Sequence, residues 1–505
     1  MLLMRLSELA AGVPGAAVTA GGDYDVRRVT ADSRGAGAGD LFVAVPGLTV
    51  DGHEFAAAAA AGGAAVALMR HIDLPAGAAA LQVPDTRSGL AEIAAEFYGR
   101  PGRRLAVAGV TGTDGKTTVT HLAAWVLESA GRSCGLLSTV GLRAGTQEEP
   151  NLSGQTTMDA TEVQAWLARM AAAGATHAVL EVTSHGLVQH RADACEFDVA
   201  AYTNVGHDHL DYHASWDDYL EAKAHLLELC AGATAKGIPK TAILNRDDVS
   251  YERLRHRPIE RRWDYSISGE ADLAAGELQL GPAGSHFTLN IGGESHAVSL
   301  AMPARFNVSN ALCAAGICLV FGLSPAEIAS GLSSFPGVSG RLEHIDLGQP
   351  FAVVIDFAHA AGALGNALAE LRPHVQGRLL LVFGSTGRAD HDRPGMGRAA
   401  ADGADWFVIT SDDPVQEDPE AIAREVAIGA AGRSEGHDYE IELDRRTAIR
   451  RALALAQQGD VVLLAGKGHE RSMITAAGRE PWDERAEAEA ALIELGYGGA
   501  DSADA

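Results

Sequence analysis

The sequence has no paired-cysteine signature. Its five cysteines (Cys134, Cys195, Cys230, Cys313 and Cys318) are scattered and none forms a C-x-x-C pair, which argues against a zinc ribbon or a disulfide framework. Cys313 and Cys318 stand in an alanine-rich apolar stretch and read as small buried hydrophobes. Long apolar runs are absent too. None approaches the roughly 18 residues of a membrane span, and the opening Met-Leu-Leu-Met-Arg-Leu-Ser-Glu-Leu-Ala-Ala-Gly-Val13 is too short and amphipathic for a secretory signal. Positive charge is scarce: 40 Lys and Arg stand against 66 Asp and Glu, a formal charge of −26. That argues against a nonspecific nucleic-acid binder, and any anionic ligand needs a locally basic site. These absences lead to the expectation of a soluble chain in a reducing, cytoplasmic setting, with no membrane or nucleic-acid partner.

What is present is a phosphate-binding pattern. Gly109-Val-Thr-Gly-Thr-Asp-Gly-Lys-Thr-Thr-Val119 follows the apolar run Leu105–Ala108 and precedes an apolar-periodic run from Val119. That is a strand, a glycine-rich turn and a helix. A phosphate tail at Gly112, Thr113, Asp114 and Gly115 would meet backbone N–H groups and the positive end of a helix dipole. The two glycines allow close approach. Lys116 would reach the terminal phosphates, Thr117 would offer its hydroxyl to Mg²⁺, and Thr118 completes the ending. We read this as an ATP site. It departs from the general pattern at Val110, where a glycine is expected.

A chain of 505 residues is expected to form about three domains. Residues 1–103 alternate short strands with alanine-rich helices and end in Tyr98-Gly-Arg-Pro-Gly-Arg-Arg104, which reads as a linker. Residues 104–338 continue from the phosphate loop through strands at 178–182 and 199–204, with a hairpin near 286–300. Residues 339–505 carry four further strands, at 352–356, 379–383, 406–410 and 461–465, each ending in a polar or glycine-bearing loop. Strands alternating with helices imply an α/β fold with parallel sheets, ligands binding at the strands' carboxyl ends. The tail from Gly498 reads as disordered.

Glu181 ends one such strand, across from Thr117, and is a suitable hard ligand for Mg²⁺. Beyond it, His207, Asp208, His209, Asp211 and His213 crowd into seven residues. Such a cluster can bind zinc, but there is no H-E-x-x-H spacing and no partner cysteine. It suits the oxygen-rich magnesium chemistry of phosphoryl transfer.

Taken in order, these motifs resemble the Mur ligases, which add amino acids one at a time to the peptidoglycan precursor. The short loop Gly112–Thr117 is of their kind. So are Thr203-Asn204 through Asp208-His-Leu-Asp-Tyr-His213, Tyr219-Leu-Glu-Ala-Lys223, Arg305-Phe-Asn307-Val-Ser-Asn310, Gly340-Arg341, Asp356-Phe-Ala-His359 and Gly466-Lys-Gly-His-Glu470. Asp32-Ser-Arg34, Gly39–Ala44 and Asp51–Phe55 are similar to the MurE type in particular.

The resemblance implies an N-terminal UDP-binding domain, a central P-loop ATPase domain and a C-terminal Rossmann-like domain. It implies that Lys116 and Thr117 handle the phosphates, that Glu181 and His209 ligate Mg²⁺, and that Lys223 is carbamylated to become an anionic magnesium ligand. Asn204, Asn307, Arg341, Asp356 and His359 would contact the nucleotide or organise its pocket. Ser33 would hold the uracil end of UDP-MurNAc-dipeptide, and Thr156, Thr157, Ser184, Gln189 and Arg191 its muramoyl-peptide portion. The implied reaction phosphorylates the terminal carboxylate of the dipeptide, and the acyl phosphate is captured by a free diamino acid. The family implies a monomer.

The acceptor is read from one loop. Enzymes of this type that use meso-diaminopimelate carry D-N-P-R, whose arginine pairs bidentately with the extra carboxylate. Here it is Asp412-Asp413-Pro-Val415, with Glu417 and Asp418 nearby. An acidic loop without the arginine favours a cationic side chain, L-lysine or L-ornithine, with Gly466 and Glu470 at the acceptor end. Arg388 remains available to a carboxylate. Met158-Asp159, Thr183, Ala360-Ala-Gly362 and Asp392 also depart from the family's usual residues. The alternative is an amide ligase on the same scaffold acting on a different carboxylate.

Overall fold

A computed structural model describes residues 2–47, 50–206, 212–281, 284–387 and 392–498. The chain divides into two compact units. One comprises Met1–Gly276, Leu289–His296 and Ser309–Leu332, and the other Glu277–Thr288, Ala297–Val308 and Ser333–Ala505. The fold is α/β with largely parallel sheets, as the alternation of elements implies.

The first unit begins with a five-stranded sheet in the order Ala17–Ala20, Ala80–Gln82, Ala65–Leu68, Asp40–Val43, Arg28–Thr30. Only the first pair is antiparallel. Helix Thr86–Phe97 is capped by Asp85, whose carboxylate accepts from the Arg87 and Ser88 amides. Leu90, Ala91 and Ile93 of that helix pack with Leu6, Leu9, Leu41 and Leu81, and the alanines of Ala56–Ala61 pack with Phe42 and Val66 in a second cluster. Small side chains let that short helix lie close to the sheet.

The segment expected to be a linker is instead packed. Pro101 and Gly102 are buried, and Arg100, at φ +46°, bonds Glu96 at 2.7 Å and Glu92 at 2.9 Å. A Cβ on Gly102 would run into Cys195 O. Proline and glycine here serve close packing rather than looseness.

The larger sheet of this unit runs Cys134–Leu137, His177–Glu181, Ala106–Thr111, Val199–Tyr202, Thr241–Asn245, Arg261–Ser266, all parallel. An antiparallel hairpin, Gly141–Ala144 with Gln147–Pro150, extends its edge. Strand Ala106–Thr111 is central, and Val110 pairs with Glu181 and Ala201. Val110 is thus a buried strand residue, which explains the missing glycine: the turn proper is only Gly112–Gly115. The hairpin expected near 286–300 is present as Gly284–Ile291 and Glu294–Leu300, turning on Gly292 and Gly293 at φ +60° and +87°.

The second unit holds a six-stranded sheet in the order Glu343–Ile345, Ala352–Asp356, Val461–Ala465, Leu379–Ser385, Trp406–Ser411, Tyr439–Ile441. All pairs but the first are parallel. The four expected strands form its centre; the short edge strands carry too few apolar residues to announce themselves. Helices Ala361–Leu371, Arg393–Gly403 and Pro419–Ile428 share one core cluster, and helices Arg445–Leu455 and Glu484–Glu494 share the other. All five cysteines are buried and free. Among the described residues no helix is long and apolar enough to cross a membrane. Of the tail, residues 499–505 lie outside the described residues.

Candidate active site

The phosphate loop links central strand Ala106–Thr111 to helix Lys116–Ser129. Gly112 and Gly115 sit at φ +154° and +80°, and neither tolerates a side chain: a Cβ on Gly112 would strike Thr203 Oγ1, and one on Gly115 would strike Asn310 Oδ1. The loop is braced from the neighbouring strand end. Asp114 N donates to Asn204 Oδ1 at 3.0 Å, Thr113 N to Asn204 O at 2.8 Å, and Thr203 Oγ1 to Asp114 O at 2.5 Å. Gly206 N donates to Thr113 Oγ1 at 2.9 Å. Lys116 folds back over the loop, its Nζ 2.7 Å from Thr113 O and 3.1 Å from Gly112 O. Thr117 and Thr118 are buried in the first helical turn.

Glu181 is buried at the carboxyl end of its strand. Its Oε1 accepts from Thr117 Oγ1 at 2.9 Å, and its Oε2 accepts from Thr139 N at 2.9 Å and Thr139 Oγ1 at 3.1 Å. The hydroxyl and carboxylate expected to face a magnesium ion therefore lie side by side. This oxygen donor set beside a helix N-terminus fits Mg²⁺ and a triphosphate.

Around the same strand end gather the five residues assigned to the muramoyl-peptide portion. Thr156 Oγ1 is 3.0 Å from Thr139 Oγ1. Thr157 Oγ1 donates to Glu181 O at 3.1 Å, and Arg191 Nη1 donates to Thr157 O at 2.9 Å. Arg191 Nη2 reaches Gln189 Oε1 at 2.7 Å. Ser184 opens the short helix Ser184–Val188, with its Oγ 3.1 Å from His213 Nε2. Ser33 belongs to the five-stranded sheet's surroundings, where it opens a single 3-10 turn capped by Asp32.

Lys223 is 1% exposed on helix Trp216–Gly232, so it is no surface lysine. Its Nζ donates to Gly112 O at 2.7 Å and lies 4.3 Å from the Tyr219 ring centroid. Tyr202 OH donates to Lys223 O at 2.8 Å. His209, with His207, Asp208 and Asp211, lies outside the described residues.

In the second unit, Asn307 is buried and its amide donates to Pro303 O at 2.7 Å. Asp356 ends its strand and accepts from Leu342 N at 2.8 Å and Ala358 N at 2.9 Å. Burial pushes its carboxyl up, against the pull of Arg341 and those two amides. Arg341 lies 5.1 Å over the Phe357 ring, and His359 packs on the same ring at 4.4 Å. His469 packs there too, and burial, then Arg341 and His359, drive its pKa down to about 3.

The residues expected at the acceptor end form a cluster around an ammonium that the sequence reading passed over. Lys467 is fully buried, with its Nζ 2.6 Å from Glu470 Oε2, 2.7 Å from Asp413 Oδ1 and 3.5 Å from Asp412 Oδ1. Burial pulls the ammonium down, but Asp412, Glu470 and Asp413 more than offset it and leave its pKa raised. Burial raises Glu470 in turn, with Lys467 opposing. Gly466, at φ +109°, leaves the space that Asp412 Oδ2 occupies, and that oxygen has no hydrogen-bond partner among the described residues. Asp413 and Val415 both have positive φ, +43° and +56°. For a β-branched residue that conformation is strained. Glu417 pairs with Arg393 at 2.9 Å, but Arg393 also serves Glu425 at 2.8 Å, so the three groups together remain net negative. Arg388 lies outside the described residues.

Two residues were thus missed, Lys467 and Thr139. Lys467 lies within a motif already singled out, and its position at the end of buried strand Val461–Ala465 was the available signal. Thr139 follows strand Cys134–Leu137, and nothing local marks it.

Comparison with known proteins gives three domain matches: a Mur ligase family catalytic domain over residues 25–98, a Mur ligase middle domain over 110–318, and a Mur ligase glutamate ligase domain over 340–468. A UDP-N-acetylmuramyl-tripeptide synthetase of Roseiflexus sp. (strain RS-1) is 40% identical over 492 residues, 94% of this chain and 96% of that protein. A UDP-N-acetylmuramoyl-L-alanyl-D-glutamate–2,6-diaminopimelate ligase of Geobacillus thermodenitrificans (strain NG80-2) is 38% identical, covering 97% and 100%. A solved structure of a 2,6-diaminopimelate ligase of the same name superposes with a TM-score of 0.71 at 31% identity, covering 98% of this chain and all of that one.

Proposed function

This chain belongs to the Mur ligase family and is an ATP-dependent amide ligase; on that premise we propose that it joins a third amino acid to UDP-MurNAc-L-Ala-D-Glu, with L-lysine or L-ornithine preferred over meso-diaminopimelate. The observation that carries the reaction class is the joint placement of Lys116, Thr117 and Glu181 at one strand-to-helix junction. We place the domain boundaries at 103/104 and 338/339.

ATP would supply activation: its γ-phosphoryl group goes to the D-glutamyl carboxylate with ADP leaving, and the acceptor's α-amine then attacks the acyl carbon, forming the amide and expelling inorganic phosphate. The protein's part is positioning and charge. The amides of Gly112–Gly115 and the helix N-terminus hold the phosphates, and Lys116 exchanges its own loop carbonyls for phosphate oxygens. Glu181 and Thr117, with His209, would hold the metal, which would offset charge on the phosphates. Thr156, Thr157, Ser184, Gln189 and Arg191 orient the muramoyl peptide, and Ser33 the uridine. Asn204 braces the loop; Asn307, Arg341, Asp356 and His359 serve the nucleotide.

Lys223 fits carbamylation chemically. A carbamate keeps one N–H, enough for the bond to Gly112 O, while it replaces a buried cation with a carboxylate beside the phosphate loop. Lys223→Ala is expected to lower activity at least a hundredfold with unchanged ATP-independent folding, and short carboxylates such as formate should restore part of it. Intact protein mass in bicarbonate buffer, together with turnover, checks this; a variant with parental activity refutes the assignment.

The acceptor preference rests on charge. Three carboxylates share one ammonium at Lys467, and Val415 takes the place of the arginine that pairs with a second carboxylate. A desolvated substrate carboxylate facing that cluster would cost several kcal/mol. Val415→Arg is expected to raise kcat/KM for meso-diaminopimelate at least tenfold and to lower it for lysine. It also replaces a β-branched residue at positive φ. Phosphate release and product mass with lysine, ornithine and meso-diaminopimelate measure the preference. The names of many relatives favour diaminopimelate as a second reading, and saturation by it alone in the parent enzyme would establish that instead.

A further inference from the structure

One group of imidazole and carboxylate side chains has no part in the proposed reaction. His190, Asp193 and His225 bring one ligand atom each to within 4.8 Å of one another. His190 and Asp193 lie just after helix Ser184–Val188, and His225 lies on helix Trp216–Gly232. His190 holds φ +55°, and its Nδ1 is 2.6 Å from Asp193 Oδ2. His225 Nδ1 is engaged by Glu228 Oε2 at 3.0 Å. That leaves His225 Nε2 facing Asp193 Oδ1 at 3.7 Å.

Those two facing atoms are buried, and among the described residues they have no hydrogen-bond partner, only the long ion pair with each other. At 3.7 Å they are too far apart to hydrogen-bond, and buried polar atoms are seldom left so poorly matched. A tetrahedral ion with metal–ligand bonds of about 2.0–2.1 Å spaces its ligands roughly 3.3 Å apart, which falls between the 2.6 Å and 3.7 Å observed. Glu228 has the place of the outer carboxylate that commonly orients a metal-binding imidazole. Two imidazoles and a carboxylate select zinc over magnesium, which prefers oxygen ligands and keeps its waters.

We propose that His190, Asp193 and His225 form a Zn²⁺ site, its fourth position open to water. The ion would staple the segment carrying Gln189 and Arg191 to the helix carrying Lys223. It is separate from the magnesium position at Thr117 and Glu181, and its test reads metal binding rather than turnover.

Chelator-treated full-length protein should bind one equivalent of Co²⁺ with visible absorption of tetrahedral intensity, bleached by Zn²⁺. His190→Gln and His225→Gln should each abolish that spectrum, and Glu228→Gln should weaken Zn²⁺ binding about 10–100-fold. Zn²⁺ should also raise the thermal midpoint of the parent but not of the two histidine variants, with circular dichroism confirming that each variant is folded. Bands that persist in both folded variants would put the metal elsewhere and overturn the proposal. So would a parent that binds no Co²⁺ below about 10 µM, which would leave only a hydrogen-bonded His–Asp–His group.

Discussion

Lys116→Met is expected to give a folded protein whose ADP release falls about a thousandfold. The side chain hydrogen-bonds carbonyls of its own loop at 2.7 Å and 3.1 Å, and it is only part-buried. The loop keeps its braces from Thr203, Asn204 and Gly206 when it is replaced. What disappears is the loop cation proposed to meet the terminal phosphates. Removing a single preorganised donor from a developing charge commonly costs a hundred- to a thousandfold in kcat, and a full positive charge in a water-poor site belongs at the upper end. A coupled ADP assay with UDP-MurNAc-dipeptide and lysine measures the loss, with the thermal midpoint as the folding control. Retention of more than a tenth of parental turnover in a folded variant would remove the phosphate loop from the mechanism.

The second large effect is on stability. Arg445 and Glu484 form a buried pair, 1% and 0% exposed, with Nη2 to Oε1 at 2.7 Å and Nε to Oε2 at 3.0 Å. Arg445 Nη2 also donates to Ala465 O at 2.7 Å, and Trp482 Nε1 donates to Glu484 Oε2 at 2.7 Å. Arg445→Met strands the Glu484 carboxylate in a dry site, at a cost of about 3–5 kcal/mol. Arg445→Met with Glu484→Leu removes both charges and should recover much of that loss, leaving chiefly the unpaired indole of Trp482. Urea unfolding midpoints of the two variants test the contrast. A single variant within about 1 kcal/mol of the parent would show that the pair contributes little. Because Arg445 holds the carbonyl just before Gly466, the single variant should also loosen the Gly466–Glu470 loop and raise KM for the acceptor more than for ATP.

The central strands were legible because a strand buried on both faces must be apolar throughout. Ala106–Thr111, His177–Glu181, Leu379–Ser385 and Val461–Ala465 all show it. The phosphate loop was legible because glycine and lysine there answer to local geometry. The reading of Tyr98–Arg104 as a linker failed because proline and glycine also mark close packing, and nothing local foretells that Glu92 and Glu96 would pin Arg100. Thr139 and Lys467 escaped for a related reason. Each acts through partners distant in the chain: Thr139 through Glu181, and Lys467 through Asp412 and Asp413.

The sequence by itself determined the fold class, the order of the motifs and the position of the nucleotide loop, since each follows from side-chain periodicity and from spacings of a few residues. Only the tertiary structure decided that Val110 belongs to the sheet, that Lys223 is buried against the loop, that Glu417 and Glu425 share Arg393, and that the acidic Asp412–Asp413 loop already encloses an ammonium. Burial and charge pairing depend on what the folded chain brings within about 4 Å, and residues dozens of positions apart meet only once the sheets have formed.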